Sequence, residues 1–150
     1  MREIIMLHKE KPIIKIKPTT FDKILEAISL LLLIIGLLVA CYSWSRIHII
    51  FLAGISVTMY ILLTVLARFP EKINYAVKIT PENAEIQYFL GIRFIRFIKL
   101  WVLLIFDYIK LMTIFIYLRK GINLVSFMGI YFFILVIGFS YYLHLVHKNK

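Results

Sequence analysis

The chain has 150 residues, of which 62% are hydrophobic, against 17% charged and a formal net charge of +10. A soluble domain of this size has no interior large enough to hold that much apolar surface, and the mean hydropathy of +0.91 agrees. A basic nucleic-acid-binding domain is therefore excluded, and the single Cys41 excludes an intramolecular disulfide and a cysteine-based metal cluster.

The N-terminal stretch to Lys23 is basic, and within it Ile14-Lys15-Ile16-Lys17 alternates with the two-residue period of a strand. It lacks the proportions and the small-residue cleavage site of a signal peptide, so the first apolar run is expected to remain as an anchor. Thr19 or Thr20 with Asp22 reads as a cap that starts a helix ahead of that run. A span needs about 20 apolar residues. Four segments qualify, at about 24–44, 47–67, 97–118 and 122–146. The first carries Glu26 near its start, the second no formal charge, the third Asp107 and Lys110, and the fourth His144 near its end.

Between the second and third spans, Ile73, Tyr75, Val77 and Ile79 alternate with polar or small residues, which predicts a second strand over Tyr75–Ile79. Paired with Ile14–Lys17, it would make a small two-stranded ribbon. Thr80-Pro81-Glu82 then has the order of a helix start, and the helix is expected to run from Pro81 into the third span, with Gly91 the one obvious break.

Charge placement predicts the topology. The tail 1–23 and the loop 68–96, extended to Lys99, hold most of the Lys and Arg, and Lys148 and Lys150 fall on the same side; that side carries fourteen, the other three. The positive-inside rule then puts both termini in the cytoplasm. Tyr42 and Trp44, Phe94, Phe97 and Trp101, and Tyr141 with Tyr142 stand where interfacial anchors belong. The expected architecture is a single all-α integral-membrane domain: a four-transmembrane-helix, up-down bundle with a small cytoplasmic extended segment.

Two stretches resemble a family of uncharacterised bacterial membrane proteins: Pro12–Ile16 with Thr20–Glu26, and Arg68–Tyr88 with its Asn74-Tyr75-x-Val77-Lys78-Ile79-Thr80 run. Members of that family carry a domain of unknown function shared with the immunity protein against the sporulation-delaying toxin. The chain departs from the family in three places. Ser43–Arg46 stands where the family has an Ile-Pro-x-His-Phe-Asn loop, Ala76 replaces a proline, and Ile86 replaces an arginine. The resemblance implies a shortened, divergent member of the bacterial inner membrane that acts by binding, as a protective or accessory protein; whether its partner is a toxin or a transporter is left open by the residues.

The residues themselves offer no nucleophile–base set, phosphate-binding glycine loop or HExxH, so neither an enzyme nor a cofactor is expected. His144 and His147 read as interfacial rather than as metal ligands, Cys41 as a packing residue, and Gly36/Ala40 and Gly54/Thr58 as close-approach pairs. Arg93, Arg96 and Lys99 are candidates for contact with anionic lipid head groups; the alternative is that they only set topology. Asp107 and Lys110 stand three apart and can pair. With Arg96, Lys99, Thr113 and Tyr117 they form a polar stripe expected to face the bundle interior, with Ile98, Ile105, Ile109, Met112 and Ile116 towards lipid. Either the pair only orients its helix, or it serves an ion path in a small oligomeric transporter. Partners beyond the bilayer, including further copies of the chain, stay open; nucleic acid is not among them.

Overall fold

The computed structural model describes residues 16–43, 47–118 and 125–149. These form four helices, α1 (Thr20–Tyr42), α2 (Ile47–Leu66), α3 (Ala84–Tyr117) and α4 (Val125–Lys148), with a 3-10 turn at Pro70–Lys72. Three of the four, α1, α2 and the Gly129–Lys148 part of α4, are long and apolar enough to cross a membrane.

Helix α1 starts where Thr19 caps it. The Thr19 hydroxyl accepts from the Asp22 backbone N–H at 3.3 Å, while an Asp22 carboxylate oxygen accepts from the Thr19 backbone N–H at 2.9 Å and its hydroxyl at 2.7 Å, a reciprocal capping box. The helix buries Asp22, Ser29, Leu33, Gly36 and Ala40, one stripe at helical spacing. Helix α2 buries Ile49, Ala53, Ser56 and Leu63 in the same way. The buried hydroxyls of Ser29 and Ser56 donate to the carbonyls of Leu25 and Leu52 four residues earlier, at 2.7 and 2.8 Å, so neither is left unpaired in an apolar setting.

Helix α3 is the axis of the molecule. It packs on α1, α2 and α4, whereas α4 packs on α3. Its 34 residues reach about 51 Å at 1.5 Å per residue, well beyond the roughly 30 Å of a bilayer's hydrocarbon layer. Contacts between α1 and α3 keep a near-constant sequence offset, Asp22 with Arg93, Glu26 with Lys99 and Gly36 with Asp107, so the two helices run parallel. Aromatic pairs hold α4 in place: Phe94 stacks on Tyr142 at 4.1 Å, and Tyr131 lies 5.4 Å from Trp101 and 5.5 Å from Tyr108 between ring centroids. The Gln87 amide donates to the carbonyls of Val146 at 3.1 Å and Asn149 at 2.8 Å, satisfying carbonyls at the C-terminal end of α4.

Several expectations need correction. Tyr75–Ile79 is irregular, and no strand occurs among the described residues; of the other proposed strand, Ile14 and Lys15 lie outside them. The alternation instead records which side chains turn inward: Ile73, Tyr75, Val77 and Ile79 are half-buried and the residues between them exposed. Helix α3 begins at Ala84 rather than Pro81. Thr80 and Asn83 brace the preceding turn, each side-chain oxygen accepting from the other's backbone N–H at 3.3 and 2.8 Å. Gly91 does not interrupt α3. A Cβ there would meet the Tyr75 ring at 2.7 Å, so glycine makes a seat for that ring. Trp101 is buried rather than an interfacial anchor, and Cys41 is exposed rather than packed. Gly36 and Ala40 lie in the interface, but a Cβ on Gly54 would meet nothing within 4 Å and Thr58 is exposed. Trp44 lies outside the described residues.

Candidate functional site

The polar stripe of α3 resolves into two clusters. The first joins all three helices of the core at the end of α1 that carries its cap. Arg93 Nε and Arg96 Nη1 approach the same oxygen, Asp22 Oδ1, at 3.3 and 3.2 Å. Arg93 also donates to Thr19 Oγ1 at 3.2 Å. Arg96 Nε stands 3.9 Å from Glu26 Oε2, and Lys99 Nζ bonds Glu26 Oε1 directly. Helix α2 completes the cluster: Thr64 Oγ1 accepts from Lys99 at 3.1 Å, the Tyr60 ring lies 4.7 Å from the ammonium, and the Tyr60 hydroxyl stands 3.5 Å from Glu26 Oε1.

Burial grades along this cluster. The Lys99 side chain is 1% exposed, that of Arg96 18% and that of Arg93 36%. Lys99 therefore offers no charge to lipid head groups, a correction to the expected lipid contact: its stem points inward because Glu26, Thr64 and the Tyr60 ring all face it there. Arg93, stacked on the rings of Phe89 at 4.3 Å and Phe21 at 5.2 Å, is the most accessible of the three. Desolvation of a buried ammonium is costly unless it is paired and hydrogen-bonded, and Lys99 has both kinds of partner.

The second cluster lies about 12 Å further along α3, eight residues on from Lys99 at 1.5 Å each. Lys110 Nζ stands 2.7 Å from Asp107 Oδ1. The Lys110 side chain is 1% exposed and that of Asp107 13%. The contact is an ion pair, and the other carboxylate oxygen, Oδ2, has no hydrogen-bond partner among the described residues. The pair sits against Gly36 of α1, where a Cβ would overlap both Asp107 Oδ1 and Lys110 Nζ.

Of the remaining stripe residues, Thr113 turns its hydroxyl back to the Ile109 carbonyl at 2.9 Å and joins neither cluster; the side chain of Tyr117 lies outside those described. On the opposite face Ile116 is exposed, but Ile98, Ile105, Ile109 and Met112 are half-buried. That face was expected to meet lipid; because α3 is central and packs on three helices, only part of it is bare. His144 and His147 are both exposed, and His147 Nδ1 stands 2.9 Å from the Leu143 carbonyl of its own helix. The described residues hold no group of three or more His, Cys, Asp or Glu placed to bind a metal ion.

Sequence reasoning missed Asp22 and Glu26 as partners of Arg93, Arg96 and Lys99. The signal was present as acids four apart on one helix and bases three apart on another, each set on a single face. Chemically the two clusters can hold α1, α2 and α3 in register and keep charge buried. In comparisons with known proteins the chain matches no family model, no curated protein and no solved structure.

Proposed function

We propose that the chain is a polytopic protein of the bacterial inner membrane, with all four helices spanning it and both termini in the cytoplasm. It acts by binding another membrane component, in the protective or accessory manner that the family resemblance implies, and not by catalysis. The membrane setting is supported by the large side chains left bare, among them Leu38, Phe51, Phe132, Phe133 and Ile137, each more than 60% exposed; in water such patches would drive aggregation. From Leu100 onward α3 carries only Asp107 and Lys110, and these neutralise one another. The observation that carries the binding reading is that Lys99 and Lys110, the two most deeply buried charges described, are each engaged by an acid inside the bundle. The clusters lock a scaffold, and the apolar outer faces of α2 and α4 remain for lateral association. A periplasm-active reporter fused at Gly121 is expected to be active and one at Lys150 silent; activity at Lys150 overturns the topology. Survival of a toxin-challenged host on expression of the chain tests the protective role.

One observation favours a second reading, a small ion-conducting assembly. Asp107 Oδ2 is buried without a hydrogen-bond partner among the described residues, and unsatisfied carboxylates within a membrane commonly mark ion or proton paths. Proton or cation flux in proteoliposomes that is abolished by Asp107→Asn would replace the binding reading with this one.

A further inference from the structure

Helices α1 and α4 stand on either side of α3, and the seam between them is a groove of about 220 Å³. Its floor is Leu90, Phe94 and Phe97 of α3. Phe21 and Leu25 of α1 form one wall, and Tyr141 and Leu145 of α4 the other. At one end the Phe97 ring leans on Gly138, so tightly that a Cβ there would meet it at 2.6 Å. Arg93 also lines the groove, and its guanidinium lies 5.2 Å from the ring of Phe21 on the α1 wall.

Within the ionic cluster to which Arg93 belongs, charge is not balanced. Arg93, Arg96 and Lys99 share two carboxylates, Asp22 and Glu26, and both guanidinia approach one oxygen of Asp22. The cluster keeps one positive charge in excess, and Arg93 is its most exposed member. Groove and charge lie together: Arg93 stands beside the groove at the end of the helices where the ionic residues gather, and the apolar trough runs past it towards the middle of α3 and α4. That is the polarity of an amphiphile with an anionic head, standing in the direction of a lipid in one leaflet.

We infer that this groove is a binding site for one anionic glycerophospholipid, its phosphate on Arg93 and one acyl chain along Phe94 and Phe97 between α1 and α4. The inference rests on the membrane reading proposed above. An aromatic floor accepts a chain of methylenes without polar demands, and a guanidinium accepts a phosphate through paired N–H donors. Its stacking on Phe89 and Phe21 holds the planar fork in place.

The test uses the full chain, delipidated in neutral detergent and titrated separately with phosphatidylglycerol and phosphatidylcholine, with retained lipid counted by native mass spectrometry. One phosphatidylglycerol is expected to be retained in preference to phosphatidylcholine. Arg93→Gln should weaken phosphatidylglycerol about fivefold, the effect of one basic side chain near a lipid surface, and should weaken phosphatidylcholine less, because its choline offsets the phosphate charge. Leu145→Trp, which fills the trough without touching the ionic cluster, should reduce both lipids, and it keeps the test available if Arg93→Gln disturbs folding. Equal retention of the two lipids, or retention indifferent to Leu145→Trp, overturns the inference. Release of the native chain from membranes by alkaline carbonate would instead overturn the membrane reading itself, so the two failures are separable.

Discussion

The Asp107 carboxylate occupies the space in which Gly36 would carry a Cβ: such an atom would overlap Asp107 Oδ1 and lie 3.1 Å from Cγ. Glycine at this one point of α1 lets α3 approach with a charged pair on its surface, and the pair fills the room a methyl would take. Gly36 and the pair therefore form a single packing unit, although they lie on different helices.

If the two sites share space, Gly36→Ala and the double change Asp107→Ala with Lys110→Ala cannot act independently. Gly36→Ala alone is expected to cost about 1–3 kcal/mol, the usual effect of overpacking. In a background carrying both Asp107→Ala and Lys110→Ala, where neither carboxylate nor ammonium fills that space, most of that cost should vanish. Thermal midpoints of the four proteins in one detergent measure the coupling, and simple additivity would show that the methyl has room beside the carboxylate.

The same burial makes the Asp107–Lys110 pair sensitive to loss of one partner. Asp107→Asn leaves the Lys110 ammonium buried without its counter-charge, and Lys110→Met does the same to the carboxylate. Each single change should cost about 3–5 kcal/mol, while the double change should recover much of the loss, because no lone charge remains. Denaturation of the three variants decides it. If the double change is as damaging as the two singles combined, the residues are not coupled.

Helix positions were largely legible in the sequence because apolar length alone defines them: the runs expected at about 24–44 and 47–67 are α1 and α2 within a few residues. What the sequence did not reveal is which faces meet. Asp22 and Glu26 were visible as a cap and a stray acid, and Arg93, Arg96 and Lys99 as topology signals; only the parallel packing of α1 on α3 turns them into pairs. The alternation at Ile73–Ile79 correctly reports inward and outward side chains, but a two-residue period cannot show whether a partner strand exists. Gly91 reads as a helix breaker by propensity, and the Tyr75 ring seated on it comes from a segment sixteen residues away, beyond the reach of local pattern.

The Glu26–Lys99 contact should be the more demanding of the two clusters, because Lys99 joins α3 to both α1 and α2. Glu26→Gln removes the counter-charge and leaves the ammonium with Thr64 and the Tyr60 ring. A loss of about 3–5 kcal/mol is expected, accompanied by faster amide hydrogen exchange where α2 meets α3. Lys99→Met in that background should restore much of the stability. Failure of the second change to compensate would mean that Glu26 acts mainly through Arg96.

Outside the spans, Tyr75 gives a prediction in pH. Its hydroxyl donates to the Pro70 carbonyl at 3.0 Å and its ring packs on Gly91 and, at 5.5 Å between centroids, on Tyr88. Burial above all, then the neighbouring Tyr142, Tyr88 and Glu71, raise its phenol above the ordinary value of 10.0. The folded chain thus holds this proton more tightly than the unfolded chain. The stability it contributes is complete below pH 10.0 and is lost as pH climbs from there towards the raised value. The loop 68–83 should loosen in that alkaline range, and the tyrosinate absorbance of Tyr75 should appear above the ordinary value of 10.0. Tyr75→Phe removes the titration at a cost of about 1 kcal/mol for the lost hydrogen bond. Gly91→Ala should act differently, forcing the ring off its seat so that the phenol ionises nearer its ordinary value. Absorbance titration of the native chain beside these two variants checks the assignment, and a Gly91→Ala profile identical to the native one would show that the seat does not hold the ring.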